Sequence, residues 1–249
     1  MDQKSLYELH QYYTEDACEY EYVLMGRDCF IVKYINSSVF AKCNHNINIA
    51  ELSVGDGRLS MSILQSVESA ELTCVDISEA RIDSVRDRVE CLTSSVKSRT
   101  HFLECNFDTQ FNLLSDDSFD VVIALDIMEH VFDVFNFVEH CRRILKSEGT
   151  LILRVPNIAY IKHRLNVLFG GLPITASWFG RSGDLTQWRR RWGWDGGHLH
   201  LFTIPILNRL LCDYNFSVQL CRDPGTRFEE FRNFWPNLLY SNPVIIAKK

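Results

Sequence analysis

The sequence predicts an α/β fold in which a mostly parallel sheet carries helices on both faces. Two observations support this prediction: short apolar runs alternate along the chain with stretches of helical spacing, and the connections between the runs are long enough to hold helices. Parallel strands require such crossovers, and the crossover helices cover the sheet. With 249 residues, of which 46% are hydrophobic, the chain can bury this core as one domain.

The apolar runs and helical stretches define the elements in chain order. Core strands are expected at residues 47–52, 71–75, 100–103, 119–125 and 150–155, and core helices at 58–67, 79–92 and 135–145. A helix at 203–212 and strands at 216–221 and 243–249 should follow. We therefore predict a single domain, 1–249, with four parts: a helical N-terminal cap (1–45), a core (46–156), an insertion (157–200) and a C-terminal helix with strands (201–249).

Composition and charge restrict the possible partners and the compartment. The formal net charge of -6 argues against a general nucleic-acid or membrane-surface binder, whose affinity would come from excess Lys and Arg. The nine cysteines form no C-x-x-C pair, which favours reduced thiols in a cytoplasmic protein. The acidic, aromatic N-terminus is unlike a signal peptide, and no apolar run approaches the roughly 18 residues of a membrane span.

The first predicted strand runs into a turn with two close glycines, Gly55 and Gly57. In an open parallel sheet, ligands bind at the carboxyl ends of the strands where the strand order reverses, and glycine lets the backbone approach them. Asp76, 19 residues after Gly57, is spaced to hold a ribose diol. A dinucleotide turn would have a third glycine where Ser60 stands. The pattern therefore favours a nucleoside without a pyrophosphate, and Glu51 could face a cationic group on it.

Motifs along most of the chain resemble those of class I S-adenosylmethionine-dependent methyltransferases. The family's first motif, an acid followed by three alternate glycines, stands here as ELSVGDG at 51–57, with Ser53 in place of the first glycine. Later motifs are matched by CVDIS (74–78), DDSFDVVIALDIMEHV (116–131), RRILKSEGTLILRVPN (142–157), HLHLFTIPILNRLL (198–211) and NPVIIAKK (242–249). The resemblance implies a Rossmann-like, seven-stranded, mostly parallel sheet with an antiparallel last strand.

The same resemblance implies a site for S-adenosylmethionine, with S-adenosylhomocysteine as the product. Its cofactor-binding positions correspond to Glu51, Gly55 and Gly57 at the methionine end, Asp76 at the ribose, Asn106 near the adenine and Asp126 at the reacting centre. Ser53, Ile77 and Phe107 complete the predicted set. Asp108 is the alternative to Asn106.

Methyl transfer from a sulfonium is a one-step displacement, and a base is needed when the acceptor is a hydroxyl. We predict O-methylation, with His198 or His200 as the base and Asp126 or His130 as further candidates. His198 and His200 alternate in GGHLHLF, so both would project to one side of an extended strand. Because no further Cys or His stands at ligand spacing, no metal site is predicted. Glu129 and His130 are expected to begin a helix, where helix capping is the alternative role.

The insertion carries a cationic, aromatic segment at 178–198, with four of the five tryptophans. We interpret it as a substrate lid whose arginines could bind phosphate or carboxylate and whose indoles could stack on a flat or sugar face. The candidate substrate-binding residues are Trp178, Arg181, Arg189, Arg190 and Trp194.

The expected acceptor is a small polar molecule, with a phosphorylated or sugar-linked one fitting the arginines. The stretches at 154–175 and 198–203 also resemble methyltransferase-like proteins associated with methionine biosynthesis, and enzymes that modify sugars or cell-surface polysaccharide precursors. Three alternatives stay open: an N-methyltransferase, a nucleic-acid (tRNA) methyltransferase that uses Arg189–Arg191 on phosphates, and a non-catalytic cofactor-binding regulator. The oligomeric state is not predicted.

Overall fold

The computed structural model of the chain describes residues 26–42, 46–173, 175, 198–225 and 229–249. Its strands are β1 (Ile47–Leu52), β2 (Ala70–Asp76), β3 (Thr100–Glu104), β4 (Phe119–Leu125), β5 (Leu145–Arg154), β6 (Ser217–Arg222) and β7 (Val244–Lys248). They form one seven-stranded sheet in the order β3-β2-β1-β4-β5-β7-β6. Strand β7 is antiparallel to β5 and β6, and the other neighbours pair in parallel. The predicted Rossmann-like fold is confirmed.

Helices connect and flank the strands. They are α1 (Gly26–Tyr34), α2 (Arg58–Ser66), α3 (Glu79–Glu90), α4 (Ser94–Lys97), α5 (Val134–Ile144), α6 (Ile161–Leu168), α7 (Ile204–Asp213), α8 (Glu229–Arg232) and α9 (Pro236–Leu239). After α1 the chain continues through a π-helical turn, Ile35–Val39, and a 3-10 turn, Phe40–Lys42.

The sheet separates two apolar layers. Successive residues of β4 alternate between them: Val122 and Ala124 face one layer, and Val121 and Ile123 face the other. The first layer includes the buried side chains of α5 and α7, and the second includes those of α1, α2 and α3. Both faces are therefore covered, as a parallel sheet requires.

Two local expectations are wrong near the ends of α5. Glu129 and His130 lie in a turn, and the helix begins only at Val134, where the Asp133 carboxylate caps it by accepting from the Asn136 N–H at 3.0 Å. The second wrong expectation is the start of β5, which was expected at residue 150. The helix α5 stops at Ile144 and β5 starts at once, because Leu145 pairs with Phe119 before a register shift. Long-range strand pairing therefore overrides the local helical pattern here.

The strand order reverses between β1 and β4. The chain runs outward from β1 through β2 to β3, and then returns to β4 on the other side of β1. Leu52 of β1 pairs with Ala124 of β4, so the loops that follow these two strands lie side by side. This edge is where an open α/β sheet binds its ligand.

The sequence predicts neither membrane-spanning helices nor disulfides. Within the described ranges, no helix has the length and apolar character needed to cross a membrane. The cysteines of the described part are free thiols: Cys29, Cys74, Cys91, Cys105, Cys141, Cys212 and Cys221.

Candidate active site

The loop after β1 turns through three residues with left-handed backbone. Ser53, Gly55 and Gly57 have φ values of 68°, 57° and 70°. These are the three alternate positions of the first motif, so Ser53 occupies a conformation that glycine adopts more readily. The Ser53 N–H donates to the Val75 carbonyl oxygen at 2.7 Å, which ties the turn to the end of β2.

The two glycines of this turn have different roles. A Cβ at Gly55 would meet nothing within 4 Å, whereas a Cβ at Gly57 would lie 2.6 Å from Cγ2 of Val85 in α3. Gly55 therefore leaves space above the turn that a cofactor can occupy, while Gly57 lets α3 pack closely. The sequence predicts ligand approach at both glycines; the packing role of Gly57 follows only from the structure.

Asp76 ends β2 with its side chain directed at the glycine turn. It is 1% exposed, and its carboxylate accepts from the Gly55 N–H at 3.3 Å and from the Ser78 N–H at 3.0 Å. Burial raises the pKa of Asp76, opposed by the Arg81 guanidinium 3.9 Å away and by these backbone hydrogen bonds. The carboxylate is thus fixed where the motif predicts the ribose-binding acid.

Glu51 is buried beneath the same turn. Its Oε2 accepts a hydrogen bond from the Ser60 hydroxyl at 2.5 Å. Burial raises the pKa of Glu51 to about 8, helped by the negative charges of Asp28, Asp56 and Asp76 and opposed by the Ser60 hydrogen bond. Glu51 is therefore mostly protonated at neutral pH in the cofactor-free protein. Ser60, which stands where a dinucleotide site has its third glycine, supports this carboxyl group.

This raised pKa predicts a stability that depends on pH. Between about pH 4.5 and about pH 8 the folded protein holds a proton on Glu51 that the unfolded chain releases, so the free energy of unfolding should fall as pH rises, by up to about 1.4 kcal/mol per pH unit from this group. Glu51→Gln keeps an acceptor for Ser60 and should remove this part of the slope. Urea unfolding of both proteins at about pH 5 and about pH 8 measures it. Parallel pH profiles for the two proteins would contradict the assignment.

Three carboxyl groups, those of Asp28, Glu51 and Asp76, are buried around the turn. Asp28, in α1, is 1% exposed and acts electrostatically on Glu51. Its Oδ1 accepts from Arg27 at 2.9 Å, while its Oδ2 has no hydrogen-bond partner among the described residues. Buried carboxyl groups need cationic or hydrogen-bonding partners, and S-adenosylmethionine carries a sulfonium and an ammonium group. These residues therefore fit that cofactor.

Asp28 is a candidate cofactor residue that the motifs do not include. Its only signal in the sequence is an acid within the mixed stretch GRDCFIVKY, and α1 brings it to the site only through tertiary packing.

The other expected cofactor positions, Ile77, Asn106 and Phe107, follow β2 and β3, which are neighbours. Ile77 is buried beside Asp76. The Asn106 side-chain oxygen accepts from the Asp108 N–H at 2.9 Å, and the Asp108 carboxylate accepts from the Phe132 N–H at 2.9 Å. The ring of Phe107 packs in the core against Phe111 and Phe137, so a cofactor contact from Phe107 would come from its backbone.

Asp126 follows β4 in a left-handed conformation, with φ 54°. Its carboxylate receives two hydrogen bonds from the Arg154 guanidinium at the end of β5, one of them at 2.8 Å, and Arg27 lies 3.7 Å away. Two guanidinium nitrogens of Arg154 thus contact the two carboxylate oxygens of Asp126. Asp126 therefore joins the ends of β4, β5 and α1, and its predicted roles at the reacting centre and as an alternative base stay predictions.

Beyond Asp126, the chain brings together three residues that we call the histidine cluster: Glu129, His130 and His198. His198 Nε2 lies 3.8 Å from Glu129 Oε1, and the side chains are 6% and 1% exposed. The His130 and His198 rings meet edge to face with centroids 4.7 Å apart. The sequence singled out both histidines, but their meeting with Glu129 was not predicted because the two segments are far apart in the chain.

His200 does not join this cluster. Its Nε2 is 3.0 Å from the Val131 carbonyl oxygen and 3.3 Å from that of Phe132, so this nitrogen carries the proton and donates. Its backbone N–H and that of Leu199 both donate to the Glu129 carbonyl oxygen. His200 thus anchors its own segment of the chain to the turn after β4, whereas the His198 side chain belongs to the cluster.

The predicted lid residues Trp178, Arg181, Arg189, Arg190 and Trp194 lie outside the described residues. Of the insertion, the described part includes α6 and Thr175, whose hydroxyl oxygen is 2.7 Å from His198 Nδ1. The substrate role of the lid stays a prediction.

Comparisons with known proteins agree with this geometry. Residues 50–151 match the family model of a methyltransferase domain. A ubiquinone biosynthesis O-methyltransferase of Coxiella burnetii is 26% identical over 174 residues, which cover 65% of this chain and 68% of that protein. A highly reducing polyketide synthase of Alternaria alternata is 26% identical over 170 residues, 66% of this chain but only 5% of that much longer protein.

A solved structure, that of a SAM dependent methyltransferase from Aquifex aeolicus, aligns with a TM-score of 0.58 and 11% identity, covering 100% of this chain and 98% of that one. The fold, the glycine turn with its acids and these matches support a class I S-adenosylmethionine-dependent methyltransferase, and the match to the family model covers residues 50–151 of the chain. These findings support an enzyme whose cofactor is S-adenosylmethionine.

Proposed function

We propose that this methyltransferase transfers a methyl group to a hydroxyl oxygen of a small polar acceptor, and that the acceptor loses its proton at the histidine cluster. The observation that carries the proposal is the meeting of His130, His198 and buried Glu129 beyond β4, at the edge of the sheet that also holds the glycine turn. Hydroxyl acceptors need a group that removes a proton, and imidazole is suited to this near neutral pH.

The chemistry assigns a separate task to each part of the site. The turn after β1, with Asp28, Glu51 and Asp76, would hold the cofactor, so that its methyl group points towards the loop after β4. The acceptor oxygen must then lie in line with the methyl carbon and the sulfur, with water excluded. The low exposure of Glu129 and His198 supports a dry environment for proton removal.

Further features support a small polar acceptor that is methylated on oxygen. The Coxiella burnetii relative is named as an O-methyltransferase that acts in ubiquinone biosynthesis, which is consistent with an oxygen acceptor here. The arginines of the segment at 178–198 would suit a phosphorylated or sugar-linked molecule. Net charge of -6 opposes a nucleic-acid substrate. The free thiols support a reducing compartment such as the cytoplasm.

The test is to incubate the protein and a metabolite extract with methyl-labelled cofactor and to identify the labelled product by mass spectrometry. We expect a methyl ether of a small polar molecule. With that acceptor, His198→Gln should lower turnover about 100-fold or more, with little change in cofactor affinity by calorimetry. His101→Gln, on the exposed face of β3, is the matched control.

A labelled amine would overturn the oxygen acceptor. Full turnover by His198→Gln would overturn the role of the cluster. A labelled RNA would instead support the nucleic-acid alternative.

A further inference from the structure

We propose that the histidine cluster binds one divalent transition-metal ion. A ligand atom from each of Glu129, His130 and His198 lies within 4.8 Å of the others. Ligand atoms that share an ion at about 2.1 Å stand about 3.0–3.5 Å apart, and His198 Nε2 is already 3.8 Å from Glu129 Oε1. Small rotations of these side chains therefore bring three ligands onto one ion.

The surroundings of the cluster resemble those of a metal ligand set. The Thr175 hydroxyl is hydrogen-bonded to His198 Nδ1 at 2.7 Å, which fixes the ring with Nε2 towards Glu129. Metal-binding histidines are oriented in this way by a partner on the other ring nitrogen. The Glu129 carbonyl oxygen accepts from the N–H groups of Leu199 and His200 at 2.8 and 3.2 Å. The backbone thus holds the two ligand-bearing segments together.

The donor set decides the class of ion. Two imidazoles and one carboxylate suit Zn²⁺ and other first-row divalent ions, whereas Ca²⁺ and Mg²⁺ prefer oxygen ligands alone. His130 is partly exposed, so one side of the cluster is open. Three protein ligands leave coordination positions for water or for an acceptor oxygen, as catalytic zinc sites do.

The consequence for catalysis rests on the proposed function, although metal binding itself does not. A hydroxyl oxygen bound to a divalent ion has a lowered pKa. Its O–H bond breaks, the proton passes to water, and the oxygen lone pair forms the new bond to the methyl carbon. The C–S bond breaks and its electron pair stays on sulfur, which leaves neutral S-adenosylhomocysteine. The cluster then removes the acceptor's proton through the bound ion, with His130 and His198 as ligands, and this replaces the direct proton transfer to imidazole in the proposed function.

The experiment measures binding of Zn²⁺ and Co²⁺ to chelator-treated full-length protein by calorimetry and by visible absorption. We expect one tight site per chain. Glu129→Gln and His198→Gln should each weaken it about 100-fold or more, while His101→Gln leaves it unchanged. Thr175→Ala should weaken it by about 10-fold, since it removes only the group that orients His198. Thermal unfolding of the metal-free variants checks that they fold.

Several outcomes would overturn this proposal. One is stoichiometric binding that both cluster variants retain; another is a Co²⁺ spectrum with intense thiolate charge transfer, which would place the ion on cysteines such as exposed Cys29, Cys91 or Cys212. Absence of binding would leave a Glu129–His198 ion pair only. Hydroxyl methylation by metal-free protein would overturn the catalytic role. A protein that binds the ion through the cluster but methylates only amines would retain this site and overturn the proposed acceptor.

Discussion

Replacing Asp76 with alanine should weaken S-adenosylmethionine binding about 100-fold. The motif predicts that this carboxylate accepts two ribose hydroxyls, and hydrogen bonds to a charged group contribute about 1.5–3 kcal/mol each. The substitution also removes the oxygen that holds the Gly55 N–H. Calorimetric titration with the cofactor measures the loss.

Two further variants sharpen this test. Asp76→Asn keeps one acceptor oxygen and the shape of the side chain, so its loss of affinity should be about 10-fold. Asp83→Ala removes a half-exposed acid of α3 that pairs with Arg86, and it should leave affinity unchanged. Wild-type affinity in folded Asp76→Ala would show that the ribose is held elsewhere.

Gly57→Ala should be the most destabilising single change in the glycine turn, by about 2–5 kcal/mol. The left-handed backbone costs a non-glycine residue about 1–2 kcal/mol, and overpacking a core contact costs about 1–3 kcal/mol. The added Cβ would lie 2.6 Å from Cγ2 of Val85, which is fully buried. Urea unfolding of the cofactor-free protein measures the change.

Gly55→Ala is the matched control, because its φ is also positive but its Cβ would meet nothing within 4 Å. It should lower the free energy of unfolding by the backbone contribution alone, about 1 kcal/mol. It should also weaken cofactor binding, because the added methyl group fills the space above the turn. Adding Val85→Ala should recover part of the stability lost in Gly57→Ala and none of that lost in Gly55→Ala. Equal destabilisation by the two glycine variants would contradict the separate roles.

Much of the sheet was predictable because its signal is local. The bounds of β1 and β4 agree with those predicted, since both strands are apolar runs bounded by polar residues or turns. The start of β5 was missed because Leu145 pairs with Phe119, a contact that only the assembled sheet creates. Glu129 and His130 were expected in a helix because the acid after the strand looked like a cap, but Asp133 provides the cap.

The candidate cofactor site likewise has residues that the sequence predicted and residues that only the structure reveals. The spacing of Gly55 and Asp76 carries information because a strand, a turn and a crossover have fixed lengths, so the motif predicts their meeting. Asp28 could not be predicted because its position depends on how α1 packs over the turn. The pKa of about 8 at Glu51 likewise depends on burial and on neighbouring carboxyl groups from separate elements.

The sequence by itself determined the fold class and the mostly parallel sheet, because hydrophobic periodicity and short-range spacing act within one or two adjacent elements. The resemblance of its motifs implied the antiparallel last strand and the cofactor. Only the tertiary structure decided which polar groups share a site. In the structure Gly57 packs against Val85, and Asp126 pairs with Arg154. His198, and not His200, lies beside Glu129 and His130. The physical reason is that burial, charge and ligand geometry depend on distances between segments that are remote along the chain.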